Sequence, residues 1–291
     1  MASPRPARPD PTDRHATVGC GAPPAPLSPR NARVVRLGRL ARQRRARAEE
    51  GAFVIDGPTL LVEAVRSGLV VEDVYVDPDA LDRPEIDRAV AQAVAGGASA
   101  WAVSGGLKGH VEVATPNGVA AVARIPSPAA EVAGGSAALH VVLVGVTDPG
   151  NAGTLLRTAE AVGASSVLLT DGSVDPWAPK VVRASAGSVL RVPVRTGVAG
   201  GVLRGLGAAG VTRVGAAGER GTPPDAVDLT GPVALVLGGE AHGLPDEIEA
   251  WVDTWVSLPM RGQVESLNVA VAGSVLAFEV VRQRAAAQGE R

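Results

Sequence analysis

The stretch His140–Val146 reads HVVLVGV and is apolar almost throughout. A strand with one face in water alternates apolar and polar residues; a strand without alternation must be covered on both faces. Val233–Leu237 (VALVL) repeats the pattern, and shorter apolar runs occupy Ser166–Thr170, Val189–Val194, Val211–Ala216 and Trp255–Leu258. Helical spacing lies between them, near Ala152–Val162, Lys180–Ala186 and Val202–Ala208, and a long helix over Asn268–Arg284 closes the chain. Strands that alternate with helices predict a parallel α/β sheet spanning 138–291.

The first half is organised differently. Strands are predicted at Phe53–Ile55, Val70–Val76, Ala100–Val103 and Val119–Ala123. The helix Thr59–Ser67 carries Leu60, Leu61, Ala64 and Val65 on its apolar face, and Gly68 stands where a C-terminal cap belongs. A second helix is expected at Ile86–Ala95. This makes a small α/β domain over 30–125, separated from the second domain by a Pro- and Gly-containing linker at 126–137. Residues 1–29 show neither strand nor helix period and are expected to be a disordered extension. From Arg30 to Arg47 there are eight arginines and no acid, with Val34, Leu37 and Leu40 at helical spacing. That predicts one basic amphipathic helix, either a solvated face or an RNA contact.

Composition narrows the chemistry. Over 291 residues the net charge is −2, so any nucleic-acid binding must come from local patches and not from a basic chain. The single cysteine, Cys20, excludes an intrachain disulfide and a multi-cysteine metal site, and the four histidines have no ligand spacing, so no metal is expected. No apolar run has the length of a membrane span and no leader is visible, which makes the cytoplasm the default.

Three polar segments follow predicted strands. Asp148-Pro-Gly-Asn-Ala-Gly-Thr-Leu-Leu-Arg157 opens a helix, with Asn151 expected as its cap and Arg157 about one and a half turns further on, on the buried side. Asn151 and Arg157 either cap and solvate, or hold a ribose or phosphate. Leu237-Gly-Gly-Glu-Ala-His-Gly-Leu244 has two adjacent glycines that let backbone approach a ligand, but it lacks the Lys and Ser/Thr of a phosphate loop. Ser257-Leu-Pro-Met260 leads through a polar loop to Ser266, Leu267 and Asn268, with Asn268 expected in the first turn of the last helix. The Val271, Val275 and Leu276 positions of that helix are expected to pack into the core.

Taken together, NAGTLLRTAEAVG, LVLGGEAHGL and SLPM…SLNVAVA resemble the three signature motifs of the SpoU (TrmH-like) family of RNA 2′-O-ribose methyltransferases, in the SPOUT superfamily, across roughly 138–286. The resemblance implies a trefoil-knotted C-terminal domain, S-adenosylmethionine as methyl donor, and a homodimer whose site is completed across the interface. It places the cofactor against Gly238, Gly239, Gly243, Leu258, Met260 and Leu267, and catalytic or orienting roles on Arg157, Asn151, Glu240, Ser266 and Asn268. Upstream, GAFVIDGPTLLVEAVRSG and ATPNGVAAVAR resemble the substrate-binding domain of members that modify ribosomal RNA. That favours RNA contact for Arg33, Arg36 and Arg39, and 23S ribosomal RNA over transfer RNA. A non-catalytic RNA-binding protein of the same fold and a base methyltransferase are the competing readings.

Overall fold

The computed structural model describes residues 26–111, 117–127, 135–198, 200–218, 220–239 and 243–289. Most of the expected extension, with Cys20, and part of the expected linker lie outside these residues. Order begins earlier than expected: the Leu27 N–H donates to Ala102 O at 2.8 Å, and Leu27 packs on the core of the first unit. The chain divides into two compact units, residues 1–125 and 126–291.

In the first unit, α1 (Ala32–Arg42) and α2 (Arg44–Glu50) precede β1 (Ala52–Asp56), α3 (Pro58–Arg66), β2 (Val71–Val76), α4 (Pro84–Ala95), β3 (Ser99–Ala102) and β4 (Val119–Arg124). The sheet runs β1-β4-β2-β3, with β4 antiparallel to both neighbours and β2 parallel to β3. Gly68 takes φ +73° just past α3, the left-handed turn a side chain would resist.

The basic segment is two helices, because Gln43 adopts an extended conformation between them. Val34, Leu37 and Leu40 are fully buried, each apolar side chain contributing about 1.5–3 kcal/mol. The same face turns Arg33 and Arg36 inward. Arg33 lies 4.5 Å over the Trp101 ring and pairs with Asp73 at 3.1 Å; Trp101 Nε1 donates to the same carboxylate at 2.8 Å. Arg36 bridges Glu50 and Glu72, each at 2.7 Å, and these carboxylates raise its pKa although burial opposes them. The acids supplied by 49–73 therefore neutralise charge that the sequence of α1 alone leaves unmatched.

The second unit contains β5 (Leu139–Val144), α5 (Pro149–Ala161), β6 (Ser166–Thr170), α6 (Pro179–Ala184), β7 (Val194–Val198), α7 (Gly200–Ala208), β8 (Thr212–Ala216), β9 (Val233–Gly238), α8 (Asp246–Glu249), β10 (Thr254–Val256) and α9 (Val269–Gln288). All five strand pairings of its sheet, ordered β10-β8-β9-β5-β6-β7, are parallel, as the unbroken apolar runs require. β5 and β9 are the adjacent central strands, and β5 is buried along its whole length.

One expected strand moves. Val189 and Leu190 are buried in a 3-10 turn, and β7 starts only at Val194. Pro193 precedes it and uses its carbonyl, which accepts from Val167 N at 2.8 Å; proline has no N–H to continue a ladder upstream. Gly153 permits the close packing of α5 on α6, since a Cβ there would stand 2.4 Å from the Ala184 Cβ.

Candidate functional site

The C-terminal ends of β8, β9 and β10 and the start of α9 enclose a cavity of about 490 Å³, within the size range of small-ligand sites. Ligands of open parallel sheets bind at this edge. Ala217 and Gly218 reach it from β8, Gly238, Gly239 and Gly243 from β9, Leu258 and Met260 from β10, and Ser266, Leu267 and Asn268 from the approach to α9. All six residues expected at the cofactor line this one cavity, although they lie in three separate segments between Gly238 and Leu267.

The glycines serve a purpose the sequence did not disclose. A Cβ on Gly238 would stand 2.4 Å from the Gly243 carbonyl carbon, and one on Gly239 would stand 2.4 Å from Gly145 O. Both distances are below van der Waals contact, so what approaches these glycines is neighbouring backbone. Gly239 N–H donates to Val144 O at 2.8 Å, and Gly243, at φ +63°, donates to Gly239 O at 3.0 Å. Gly239 and Gly243 are thus bonded to each other beside the end of β5, and both line the cavity. Glu240, between these glycines, lies outside the described residues.

Asn268 is the N-cap of α9 and not part of its first turn. Its Oδ1 accepts from Ala270 N at 2.8 Å and Val271 N at 3.3 Å, and its Nδ2 donates to Asn151 Oδ1 at 3.0 Å. Asn151 does not cap α5: Asp148 does, accepting from Asn151 N at 2.8 Å, because Pro149 and Gly150 occupy the first turn and push Asn151 inside the helix. One side-chain hydrogen bond therefore ties the first segment to the third. Further along the same two helices, Thr158 Oγ1 and Ser274 Oγ share a hydrogen bond of 2.7 Å.

Arg157 does not lie on the buried side of α5. The core face is taken by Leu155, Leu156 and Ala159, and Arg157 is exposed and is not among the residues that line the cavity. The last helix also departs from expectation. Leu276 is buried, but Val271 and Val275 are half exposed, as are Phe278 and Val281. Their spacing of four, three and three residues puts them on one face, so α9 shows an apolar stripe to solvent opposite the face that holds Leu276.

Sequence reasoning missed Ala216, Ala217, Gly218 and Glu265 as cavity residues. Ala-Ala-Gly after an apolar strand repeats, one strand over, the small-residue pattern of Leu-Gly-Gly at 237–239, and that was the available signal. Among the described residues no group of three or more His, Cys, Asp or Glu is placed to hold a metal ion, and no helix is long and apolar enough to cross a membrane.

Comparison with known proteins agrees with this geometry. Residues 138–278 match the SpoU rRNA Methylase family, and residues 31–121 match the MRM3-like substrate binding domain. The 23S rRNA (guanosine(2553)-2′-O)-methyltransferase RlmP of Bacillus subtilis is 30% identical over 238 residues, 81% of this chain and 91% of its own. The 23S rRNA (guanosine-2′-O-)-methyltransferase RlmB of Xanthomonas axonopodis pv. citri is 44% identical over 149 residues, 50% of this chain and 59% of its own length. The crystal structure of the SpoU methyltransferase AviRb from Streptomyces viridochromogenes, in complex with AdoMet, superposes with a TM-score of 0.81 at 28% identity, covering 90% of this chain and all of that one.

Proposed function

Because the chain belongs to the SpoU methyltransferase family, we propose that it transfers a methyl group from S-adenosylmethionine to a ribose 2′-hydroxyl of 23S ribosomal RNA. The observation that carries this reading is the convergence of Gly238, Gly239, Gly243, Leu258, Met260 and Leu267 on one cavity of cofactor size. The cavity fits the group: glycine, alanine and aliphatic walls suit an adenine ring, and Glu265, Ser266 and Asn268 add polar side chains on one wall. When bound, S-adenosylmethionine supplies an electrophilic methyl on a sulfonium, so positioning carries much of the rate.

The roles of the surrounding side chains follow from their chemistry. The hydroxyl must lose its proton as the carbon–oxygen bond forms. A guanidinium is too weak a base to take it, but it stabilises the developing oxyanion and holds an adjacent phosphate; Arg157, exposed on α5, is assigned that role. Asn151 and Asn268 fix α5, the helix that carries Arg157, against α9 through their hydrogen bond. Ser266 holds the loop before α9, and Glu240 orients Arg157 or the ribose. No step needs a metal.

Arg157 stands off the cavity of its own chain, and this supports a homodimer that completes the site across an interface. The stripe Val271, Val275, Phe278 and Val281 is the surface we assign to that interface. Phe278→Asp is expected to convert a particle of twice the chain mass into a monomer in sedimentation velocity, with transfer lost and the circular dichroism spectrum kept. A variant that stays dimeric would move the interface elsewhere.

The N-terminal unit is assigned to RNA capture, with the segment 1–29 an extension and 126–137 a linker to the catalytic domain of 138–291. Arg39, half exposed and paired on one side with Glu50, is better placed than Arg33 and Arg36 to meet phosphate, since those two are more fully committed to Asp73, Glu50 and Glu72. We place the protein in the cytoplasm with its substrate. A knot is the family's arrangement of this domain. Membership of that family is what supports the same arrangement here. The function is tested by methyl transfer from labelled S-adenosylmethionine to protein-free 23S rRNA and to tRNA in parallel. Label in 23S rRNA is expected, and label confined to tRNA would replace the substrate assignment.

A further inference from the structure

Among the described residues that line the cavity, Glu265 is the one that carries a charge. The other walls are glycine, alanine, aliphatic side chains, Met260, Ser266 and Asn268. Glu265 is exposed on the loop before α9, at the open side of the cavity, and its neighbour Ser266 lines the same wall.

Two nearby charges bear on the same space. Arg220 lines the adjoining recess with Ala217, Gly218, Glu265 and Ser266, but its guanidinium stacks 3.9 Å over the Trp255 ring and pairs with Glu249. Its charge is thus largely matched before a ligand arrives. The start of α9 also opens on the cavity through Asn268 and Val269, and a helix N-terminus carries a partial positive charge that disfavours a cation. A carboxylate three residues upstream of the cap offsets it.

The methyl donor and its product differ in charge. S-adenosylmethionine has a sulfonium, an ammonium and a carboxylate, and is a net cation at neutral pH. Loss of the methyl converts the sulfonium to a neutral thioether and leaves S-adenosylhomocysteine without net charge. The two have nearly the same shape, so apolar walls and backbone hydrogen bonds cannot tell them apart, whereas a single carboxylate favours the cation.

From this we infer that Glu265 is a specificity residue that favours the cationic donor over the neutral product in the cofactor cavity. The inference rests on the methyltransferase reading of that cavity. Glu265 is exposed, so its effect is screened and modest: Glu265→Gln is expected to weaken S-adenosylmethionine binding roughly three- to five-fold, in the range of solvent-exposed ion pairs. S-adenosylhomocysteine affinity should change less than about two-fold, since a net-neutral ligand gains little from one distant charge. Product inhibition would rise accordingly.

Calorimetric titration of the full-length protein and of Glu265→Gln with each ligand, at low and at high salt, tests this. The donor-to-product affinity ratio of the wild type should fall as salt rises and should be salt-independent in the variant. Equal weakening of both ligands, or no change in either, would overturn the inference and leave the methyltransferase reading intact. Failure of the wild type to bind either ligand would overturn both.

Discussion

Replacing Arg157 with Ala is expected to lower methyl transfer by about 10²- to 10³-fold, the loss typical when a donor to a developing oxyanion is removed. The affinity for S-adenosylmethionine should be unchanged, because Arg157 lies on the exposed side of α5 and does not line the cavity. Folding should be unaffected for the same reason. Single-turnover rates and calorimetry on one preparation separate these effects. A variant that keeps more than about a tenth of the rate, equivalent to roughly 1.4 kcal/mol of barrier, would show that Arg157 does not carry the oxyanion.

Gly238→Val is expected to act on the other half of the site. The new Cβ would meet the Gly243 carbonyl carbon at 2.4 Å and Leu244 N at 2.8 Å, both main-chain atoms that a side-chain rotation cannot clear. The loop must open away from the end of β9, and the cavity wall goes with it. Affinity for S-adenosylmethionine should fall by at least ten-fold, about 1.4 kcal/mol. The sheet should persist, since β9 remains paired with β5 and β8 along its buried length. Wild-type affinity in calorimetry would place the cofactor elsewhere. The pairing of these two variants matters: one should lose chemistry and keep cofactor, and the other should lose cofactor.

The parallel sheet was legible because burial on both faces leaves an unmistakable run of Val and Leu, as at 140–146 and 233–237. Helix starts were less so. Pro58, Pro84, Pro149 and Pro179 each occupy the first turn of a helix, where the missing N–H costs nothing, so α3, α4, α5 and α6 begin one to three residues before the apolar period does. The break at Gln43 and the strand displaced past Pro193 were tertiary choices with weak local signals.

At the site, the motifs led to the cavity residues of β9, β10 and α9 but not to the β8 end, where Ala-Ala-Gly offers no chemistry of its own. Burial of Val271 and Val275 was misjudged for a physical reason. An apolar stripe on the surface of a helix has the same composition and period as one that meets the core, so the pattern alone does not separate them. The α1 arginines show the converse. Their partners Glu50, Glu72 and Asp73 arrive from later segments, so a run that reads as an open basic face is in part internally neutralised.

The methyl is expected on a ribose oxygen. Protein-free 23S rRNA methylated by the purified enzyme with labelled S-adenosylmethionine should be hydrolysed completely in alkali and the products separated by size. A 2′-O-methyl group blocks the attack that cleaves the adjacent phosphodiester, so the label is expected in an alkali-resistant dinucleotide and, after further digestion, in a 2′-O-methylnucleoside. Label recovered in mononucleotides carrying a methylated base would contradict the account.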